Sequence, residues 1–392
     1  MINMQLTKGQ QNALSAFRSG KNILLLGDSG TGKTTLISAI VEEAQSKGLR
    51  VAKTASTGIA AQLIGGRTIH SFLKAYPKMD FSKIDYRQKI SELEHVDILI
   101  IDEISMLNNS FIEYMYRCLE CLSHSVQLIL VGDFFQLPPV KGHYAFESFC
   151  WNSLNLTPCI LTEVIRQDDN EFIKHLNLLK YGDSSCLEYF LSNSSPKPIS
   201  GQISICAKRV AADRINKAEI DKLNGEQQIY QATYDGTVSS SDIPIEECLI
   251  IKPGMRVMSL LNGTEYSNGS LGTVINCDPK TVLVHFDNSK RFRFGKACFN
   301  IERSDLIGTT TEIWQIPLRP AYAITIHKSQ GQTFDNVNID GTECWASGQL
   351  YVAISRARRI EGIHFLTRIK KDNIKTDPLV IDFYNHLQQY SK

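Results

Sequence analysis

At 392 residues the chain is too long for one ordinary core, and length alone argues for two large units with small insertions. Hydrophobic content of 43%, charged content of 21% and no apolar run near a membrane span exclude a membrane-embedded or a disordered protein and fit a soluble globular one. A net charge of +1 excludes a generally sticky polyanion binder, so any nucleic-acid binding must come from a locally basic cleft. Met1 to Gln11 carries no signal-peptide core, and ten cysteines without a short-spaced framework read as reduced thiols of an intracellular, cytoplasmic protein.

Thr7-x-x-Gln10 opens a short helix and admits two readings. One is a capping box, with Thr7 at the N-cap and Gln10 at the third helical position. The other is adenine recognition by the paired donor and acceptor of the Gln10 amide; spacing alone favours the cap. Ile23 to Leu26 then reads as a buried strand, and Leu36, Ile37, Ile40, Val41 and Ala44 recur at helical spacing up to Gly48. Between them, Gly27-x-x-x-x-Gly32-Lys33-Thr34 lets bare backbone approach a polyphosphate and aims a helix N-terminus at it. Gly30, Thr31, Gly32 and Thr35 complete this cradle. Lys33 is expected to hold the β- and γ-phosphates of ATP, and Thr34 to ligate Mg²⁺.

Val51 to Ala55 predicts a second strand that turns at Ser56-Thr57-Gly58 into a helix, where hydroxyls and backbone N–H groups suit a phosphate or a plain helix cap. Gly65 to Phe72 offers Arg67, His70, Ser71 and Phe72 in what is, taken alone, an ordinary loop. Lys74 to Glu94, polar with Tyr76, Phe81 and Tyr86 interleaved, reads as a small insertion. Val96 to Ile101 is a buried strand that delivers Asp102 and Glu103 at its end, where open α/β sheets put their chemistry. Asp102 is placed to help hold Mg²⁺ and Glu103 to polarise an attacking water. Ser110-x-x-Glu113 predicts the cap of a helix over Phe111 to Leu122, whose apolar stripe makes Cys118-x-x-Cys121 a core feature rather than a zinc site. Val126 to Val131 leads to Gly132-Asp133-Phe134-Phe135-Gln136-Leu137-Pro138-Pro139, where Gln136 can report a γ-phosphate or sit as a solvated loop amide.

The second half repeats the pattern without a cradle: strands at Ile203 to Ala207, Ala321 to Ile326 and Ile363 to Leu366, and an amphipathic helix at Val210 to Leu223. From about Lys252 to Thr310 short alternating runs broken by Asn262-Gly263, Asn268-Gly269 and Asp287-Asn288 predict hairpins of a small inserted β-barrel. Its Lys290 to Lys296 segment alternates basic residues with Phe292 and Phe294, as either a base-stacking surface or a strand with one wet face would.

Ile101-Asp-Glu-Ile-Ser-Met106, Val131-Gly-Asp-Phe-Phe-Gln-Leu-Pro-Pro139, Thr325-Ile-His-Lys-Ser-Gln-Gly331 and Gly348-Gln-Leu-Tyr-Val-Ala-Ile-Ser-Arg356 resemble, in order, motifs of the superfamily 1B DNA helicases of the PIF (petite integration frequency) type, related to RecD-like and phage Dda helicases. The resemblance covers nearly the whole chain. It implies an α/β fold of two RecA-like P-loop lobes: residues 1–160 with the insertion at 74–94, and residues 161–392 with a Src-homology-3-like β-barrel at about 252–310. It implies an ATP-dependent helicase acting 5′-to-3′ on single-stranded DNA and on tailed or forked duplex, as a monomer. It tips Gln10 to adenine, makes Gln136 the γ-phosphate sensor, brings Gly331 to the nucleotide, and makes Arg166 and Arg356 the arginines that the second lobe offers to ATP. Thr57, His70, Ser71, Phe72, His327 and Lys328 become strand-contacting residues. In one departure, the family's signature segment between Glu103 and Gly132 is replaced by a shorter Cys121-Leu-Ser-His-Ser-Val126 junction. The lack of the long N-terminal region of eukaryotic members implies a bacterial, phage or mobile-element origin. A transporter- or recombinase-type NTPase and a non-hydrolysing DNA switch are rival readings; the first would not explain the arginines, nor the second the intact Lys33, Asp102, Glu103 and Arg356.

Overall fold

The computed structural model describes residues 6–75, 84–163, 169–198, 201–235, 245–266, 268–302, 310–341 and 343–390. Their contacts separate two compact units, one drawn from Met1–Ala75, Met79–Pro198 and Ser329–Lys392, the other mainly from Ile199–Lys328. Arg166, and the Tyr76 and Phe81 of the expected insertion, lie outside the described residues.

The first unit is built on a six-stranded, all-parallel sheet. Its strands are β1 (Ile23–Gly27), β2 (Val51–Ala55), β3 (Arg67–Thr68), β4 (Ile98–Asp102), β5 (Gln127–Gly132) and β6 (Thr157–Leu161), in the order β3-β2-β4-β5-β1-β6. Every pairing is parallel, with Leu25 opposite Val131 and Ile100 opposite Ile129. A strand covered on both faces must be apolar on both, which is why β1 and β4 read as unbroken hydrophobic runs. Helices α1 (Lys8–Arg18) and α2 (Lys33–Ser46) supply Leu14, Phe17, Leu36, Ile40 and Ala44 to the core on Ile23, Leu25, Ile100 and Val131. Each fully buried aliphatic chain there contributes roughly 1.5–3 kcal/mol.

Local signals set the helix starts. Thr7 and Gln10 form a reciprocal capping box on α1. Helix α3 (Gly58–Leu63) is capped by Thr57, whose hydroxyl accepts from Ala60 N at 3.2 Å, and α4 (Ile69–Phe72) by Thr68. Helix α5 (Asn109–Glu120) corrects the expected cap: Asn108, not Ser110, takes the Phe111 N–H at 2.9 Å. The helix starts at Asn109, so the orphan N–H that needs a partner is that of Phe111, within reach of the Asn108 amide oxygen, and Ser110 falls inside the first turn. Cys118 is buried on the core face of α5 and Cys121 is exposed.

After β6, α6 (Asn170–Lys180) follows, and Ser329–Lys392 adds to the same unit the parallel pair Val337–Asp340 with Ile363–Phe365, the buried helix Gln349–Ile354 and the C-terminal helix Pro378–Tyr390. Phe383 stacks on Phe146 at 4.2 Å, and Tyr144 donates to Asp377 at 3.0 Å.

In the second unit Ser204–Cys206 pairs in parallel with Ala323–Thr325 beneath the helix Arg209–Asp221. The β-rich segment extends past the expected 252–310 at both ends: an antiparallel sheet of five strands in the order 291–294, 282–286, 271–277, 256–259 and 318–320, and a second sheet formed by 297–302, 310–315 and 233–235. Val257, Val274, Val284, Phe286 and Phe294 fill its core. The alternation at 290–296 is therefore that of a strand with one wet face. Phe294 is buried and Phe292 packs against the core, while Arg293 pairs with Asp278 and Lys290 with Glu265.

Candidate functional site

Strand order decides where the site lies. β5 sits between β1 and β4, so the carboxyl ends of three neighbouring strands deliver Gly27, Asp102 and Gly132 to one edge of the sheet. That edge opens on a cavity of about 280 Å³ whose lining includes Lys33, Thr34, Asp102, Glu103, Gln136 and Arg356. All six belong to the first unit.

The cradle has the expected form. Gly30 and Gly32 have φ of 87° and 80°, a left-handed backbone that L side chains resist, and Gly32 is the N-cap of α2. Gly27 is fixed by space, since a Cβ there would stand 2.6 Å from Thr31 Oγ1. Lys33 Nζ donates to the carbonyls of Gly27 at 2.6 Å and Asp28 at 2.9 Å, holding its ammonium over the turn. Gly30, Gly32, Thr34, Thr35 and Gly331 line the cavity, whereas Thr31 is buried, its hydroxyl donating to Asp28 O at 2.9 Å. Gln10 lies behind the cradle: its Oε1 accepts from Thr7 N at 3.0 Å, and its Nε2 donates to the carbonyls of Thr31 at 3.4 Å and Gly32 at 3.2 Å.

The two acids differ in setting. Asp102 Oδ1 accepts from Glu103 N at 2.8 Å. Burial raises its pKa, opposed by that bond and by Lys33. Glu103 sits at φ 54°, ψ 48°, a left-handed position costly for a non-glycine residue and of the kind that gathers at functional sites. Burial first, and the charge of Asp102 second, push its carboxyl up to about 7, against the pull of Lys33 and Arg356. An acid poised there is suited to take a proton near neutral pH.

The residue missed in the sequence is Gln330. Its Nε2 donates to Glu103 Oε2 at 2.9 Å and to Gln136 Oε1 at 3.3 Å, while its buried Oε1 has no partner among the described residues. It stood inside the Thr325 to Gly331 motif, but only the return of Ser329–Lys392 to the first unit brings it to Glu103. Arg356 is 1% exposed; its guanidinium donates to Val352 O at 3.0 Å, Gln332 O at 3.3 Å and Ser355 Oγ at 2.9 Å while lining the cavity. An ammonium, a guanidinium, glycine backbone N–H groups and a helix N-terminus suit a polyphosphate, and the Thr34 hydroxyl beside the Asp102 carboxylate offers the hard oxygen donors a Mg²⁺ ion takes.

The strand-contacting candidates divide. In the first unit Thr57 and Ser71 keep partial exposure, and the His70 ring lies 4.4 Å from Phe111, with burial lowering its pKa. Phe72 is buried, its ring covered by the Arg67 guanidinium at 4.7 Å, so it packs inward rather than offering a face to a base. In the second unit His327 and Lys328 are exposed at the end of Ala323–Thr325. Desolvation, then repulsion by Arg319 and Arg209, bring Lys328 down to about 8.

Residues 5–195 match a family model described as an AAA domain, and residues 320–359 one described as a UvrD-like helicase C-terminal domain. The chain is 30% identical to the ATP-dependent DNA helicase Pif1 of Bdellovibrio bacteriovorus, over 98% of its own length and 93% of that protein's. It is 31% identical to the ATP-dependent DNA helicase PIF1 of Danio rerio over 99% of its length, but spans 65% of that longer relative. Among solved structures, the Pif1 helicase from Candida albicans superposes with a TM-score of 0.87 at 29% identity, covering 98% of this chain and 100% of that one. Pif1 from Bacteroides in complex with ADP-AlF3 and single-stranded DNA gives 0.81 at 29% identity, covering 99% and 98%. Fold and cavity thus define a nucleotide-binding helicase of two RecA-like lobes. Within that class the chain belongs to the Pif1 family of ATP-dependent DNA helicases.

Proposed function

We propose that this chain hydrolyses ATP to move 5′-to-3′ along single-stranded DNA and to unwind tailed or forked duplex, acting as a monomer inside the cell. The observation that carries this is the meeting of Lys33, Asp102, Glu103, Gln136 and Arg356 around one cavity at the switch edge of a parallel sheet. Lys33 and the glycine turn hold the β- and γ-phosphates, and Gln10 adds adenine contact behind the turn. Thr34 and Asp102 would hold Mg²⁺, which supplies charge neutralisation on the phosphate oxygens. Glu103 takes a proton from the attacking water. Gln136 reads the γ-phosphate, and Arg356, joined by Arg166, bears on the charge that develops as the phosphoryl group transfers.

The resemblance divides the lobes into 1–160 and 161–392, the second carrying the β-barrel, whereas contacts group 329–392 with the first unit; relative motion of two such bodies would turn hydrolysis into a step. Thr57, His70 and Ser71 on the first and His327 and Lys328 on the second would hold the strand. The relative from Bacteroides bound single-stranded DNA, which supports that ligand here. The test is ATPase rate with and without single-stranded DNA in the wild type and in Lys33→Ala. Strong stimulation in the first and none in the second is expected; a folded Lys33→Ala protein with near-normal turnover sinks the assignment. A duplex with a 5′ tail should unwind and one with only a 3′ tail should not, and the reverse would overturn the polarity.

A further inference from the structure

A buried charge cluster lies behind the cavity and includes no residue assigned above except Gln136. Lys180, the last residue of α6, is 8% exposed, and its ammonium is paired with the carboxylate of Asp28 in the phosphate turn. It also lies 4.5 Å from the ring centre of Phe135 and 5.7 Å from that of Tyr384. On the other side is Asp133, fully buried, which opens the Gln136 loop.

Asp133 organises that loop through four hydrogen bonds. Its Oδ1 accepts from Phe135 N at 3.1 Å and Tyr384 Oη at 3.3 Å, and its Oδ2 from Tyr351 Oη at 3.3 Å and Gln136 Nε2 at 3.4 Å. Asp28 organises the other loop, because its backbone carbonyl takes the Lys33 ammonium while its carboxylate takes Lys180. Lys180 thus touches both loops, pairing with the Asp28 carboxylate of the phosphate turn and lying over the ring of Phe135, whose backbone N–H Asp133 holds in the Gln136 loop. A desolvated carboxylate needs such compensation, and a compact ammonium over aromatic faces supplies it where water cannot.

We propose that Lys180 is a positioning residue that locks the phosphate turn to the Gln136 loop, so that Lys33 and Gln136 keep the mutual geometry on which γ-phosphate recognition depends. This rests on the reading of Gln136 as the γ-phosphate contact. With Lys180 removed, the Asp28 carboxylate loses its buried partner and the Phe135 ring its cation, and the two loops separate or shift. Nucleotide parts held by the turn alone are affected little. Discrimination between ADP and a γ-phosphate mimic suffers most.

The experiment compares full-length wild type, Lys180→Met, Lys180→Arg and Asp28→Asn in ADP affinity, ADP–aluminium fluoride affinity, DNA-stimulated kcat and thermal unfolding. Lys180→Met should bind ADP within about three-fold of wild type but lose about ten-fold of the added affinity for aluminium fluoride, the worth of one charge-assisted hydrogen bond, with kcat falling alongside. Lys180→Arg, which keeps the buried cation, should recover most of both, and Asp28→Asn should reproduce the loss in milder form. If Lys180→Met melts earlier yet keeps its kcat and its preference for the mimic, the residue is structural only and the proposal fails. Should Lys180→Met not fold, Asp28→Asn decides, and an unchanged preference in it overturns the proposal. A wild type without DNA-stimulated hydrolysis would instead sink the helicase reading, so the two failures are distinguishable.

Discussion

Gln330 holds Glu103 by a hydrogen bond of 2.9 Å from its Nε2 to Glu103 Oε2, and the same nitrogen reaches Gln136 Oε1 at 3.3 Å. One amide thus orients both the acid placed to activate water and the amide placed to read the γ-phosphate. Gln330→Ala would leave both acceptors buried and short of a donor. Hydrolysis should fall about 10- to 100-fold, the cost of one or two lost hydrogen bonds of which one is to a carboxylate, while ATP affinity stays within a few-fold. Single-turnover rates beside equilibrium binding of a fluorescent ATP analogue separate the two. A binding loss equal to the rate loss would make Gln330 a nucleotide contact instead.

Glu103 predicts a pH signature in both rate and stability. Its folded pKa, about 7, lies above the ordinary glutamate value of 4.5 because burial and Asp102 oppose ionisation. The folded state therefore binds the proton more tightly than the unfolded one, and stability falls as pH rises from 4.5 to 7. Above that window the full penalty is present. Glu103→Gln removes the charge, so its melting temperature should exceed that of wild type at pH 8, with the gap closing toward pH 5. Wild-type hydrolysis should decline on acidification, with a midpoint at or below 7 because a cation held by Asp102 favours the ionised base. Glu103→Gln should bind ATP and hydrolyse it slowly at every pH; equal melting temperatures at pH 8 would contradict the buried charge.

Much of the fold was readable from the sequence because its main signals are local. The central strands β1 and β4 are buried on both faces and so appear as apolar runs, and the glycine turn needs no distant partner to be recognised. What escaped depends on contacts far along the chain. Gln330 gains meaning only from Glu103, 227 residues away, and Lys180 only from Asp28, 152 residues away. Lys180 otherwise looks like a basic residue completing a helix end. Phe72 was misplaced for another reason, since loop patterning does not say which face is wet, and at 290–296 the alternation left two readings open until burial of Phe294 chose the strand with one wet face. Asn108 and Ser110 are equally good caps by type, and only the helix start chooses between them.

Gly348 tests how rigidly the Gln136 loop is held. It has φ of 75°, and a Cβ there would stand 2.4 Å from Gln136 O and 2.6 Å from Phe135 O. Alanine must strain its own backbone and push on the loop, with a cost of about 1–3 kcal/mol. Gly348→Ala should therefore melt several degrees lower and lose turnover at a temperature where it is still folded. Turnover unchanged in the folded protein would show that the loop tolerates displacement.

Arg356 is the sharpest test, because its placement serves stability and catalysis at once. Its three donor nitrogens satisfy Val352 O, Gln332 O and Ser355 Oγ, while its positive charge helps to hold down the Glu103 pKa from inside the same cavity. A guanidinium so anchored is preorganised for charge that develops on a transferring phosphoryl group, and such arginines are worth about 10³ to 10⁵ in turnover in other NTPases. Arg356→Ala should therefore bind ATP within a few-fold of wild type and lose nearly all DNA-stimulated hydrolysis. The residual rate should also shift its pH dependence to the alkaline side, since Glu103 has lost a neighbouring cation. Arg356→Lys would keep the charge but cannot fork onto three acceptors, so it should correct the pH shift better than the rate. If Arg356→Ala melts lower yet turns over normally when folded, the arginine is a structural clamp for the helix Gln349–Ile354, and its role at the γ-phosphate must be abandoned.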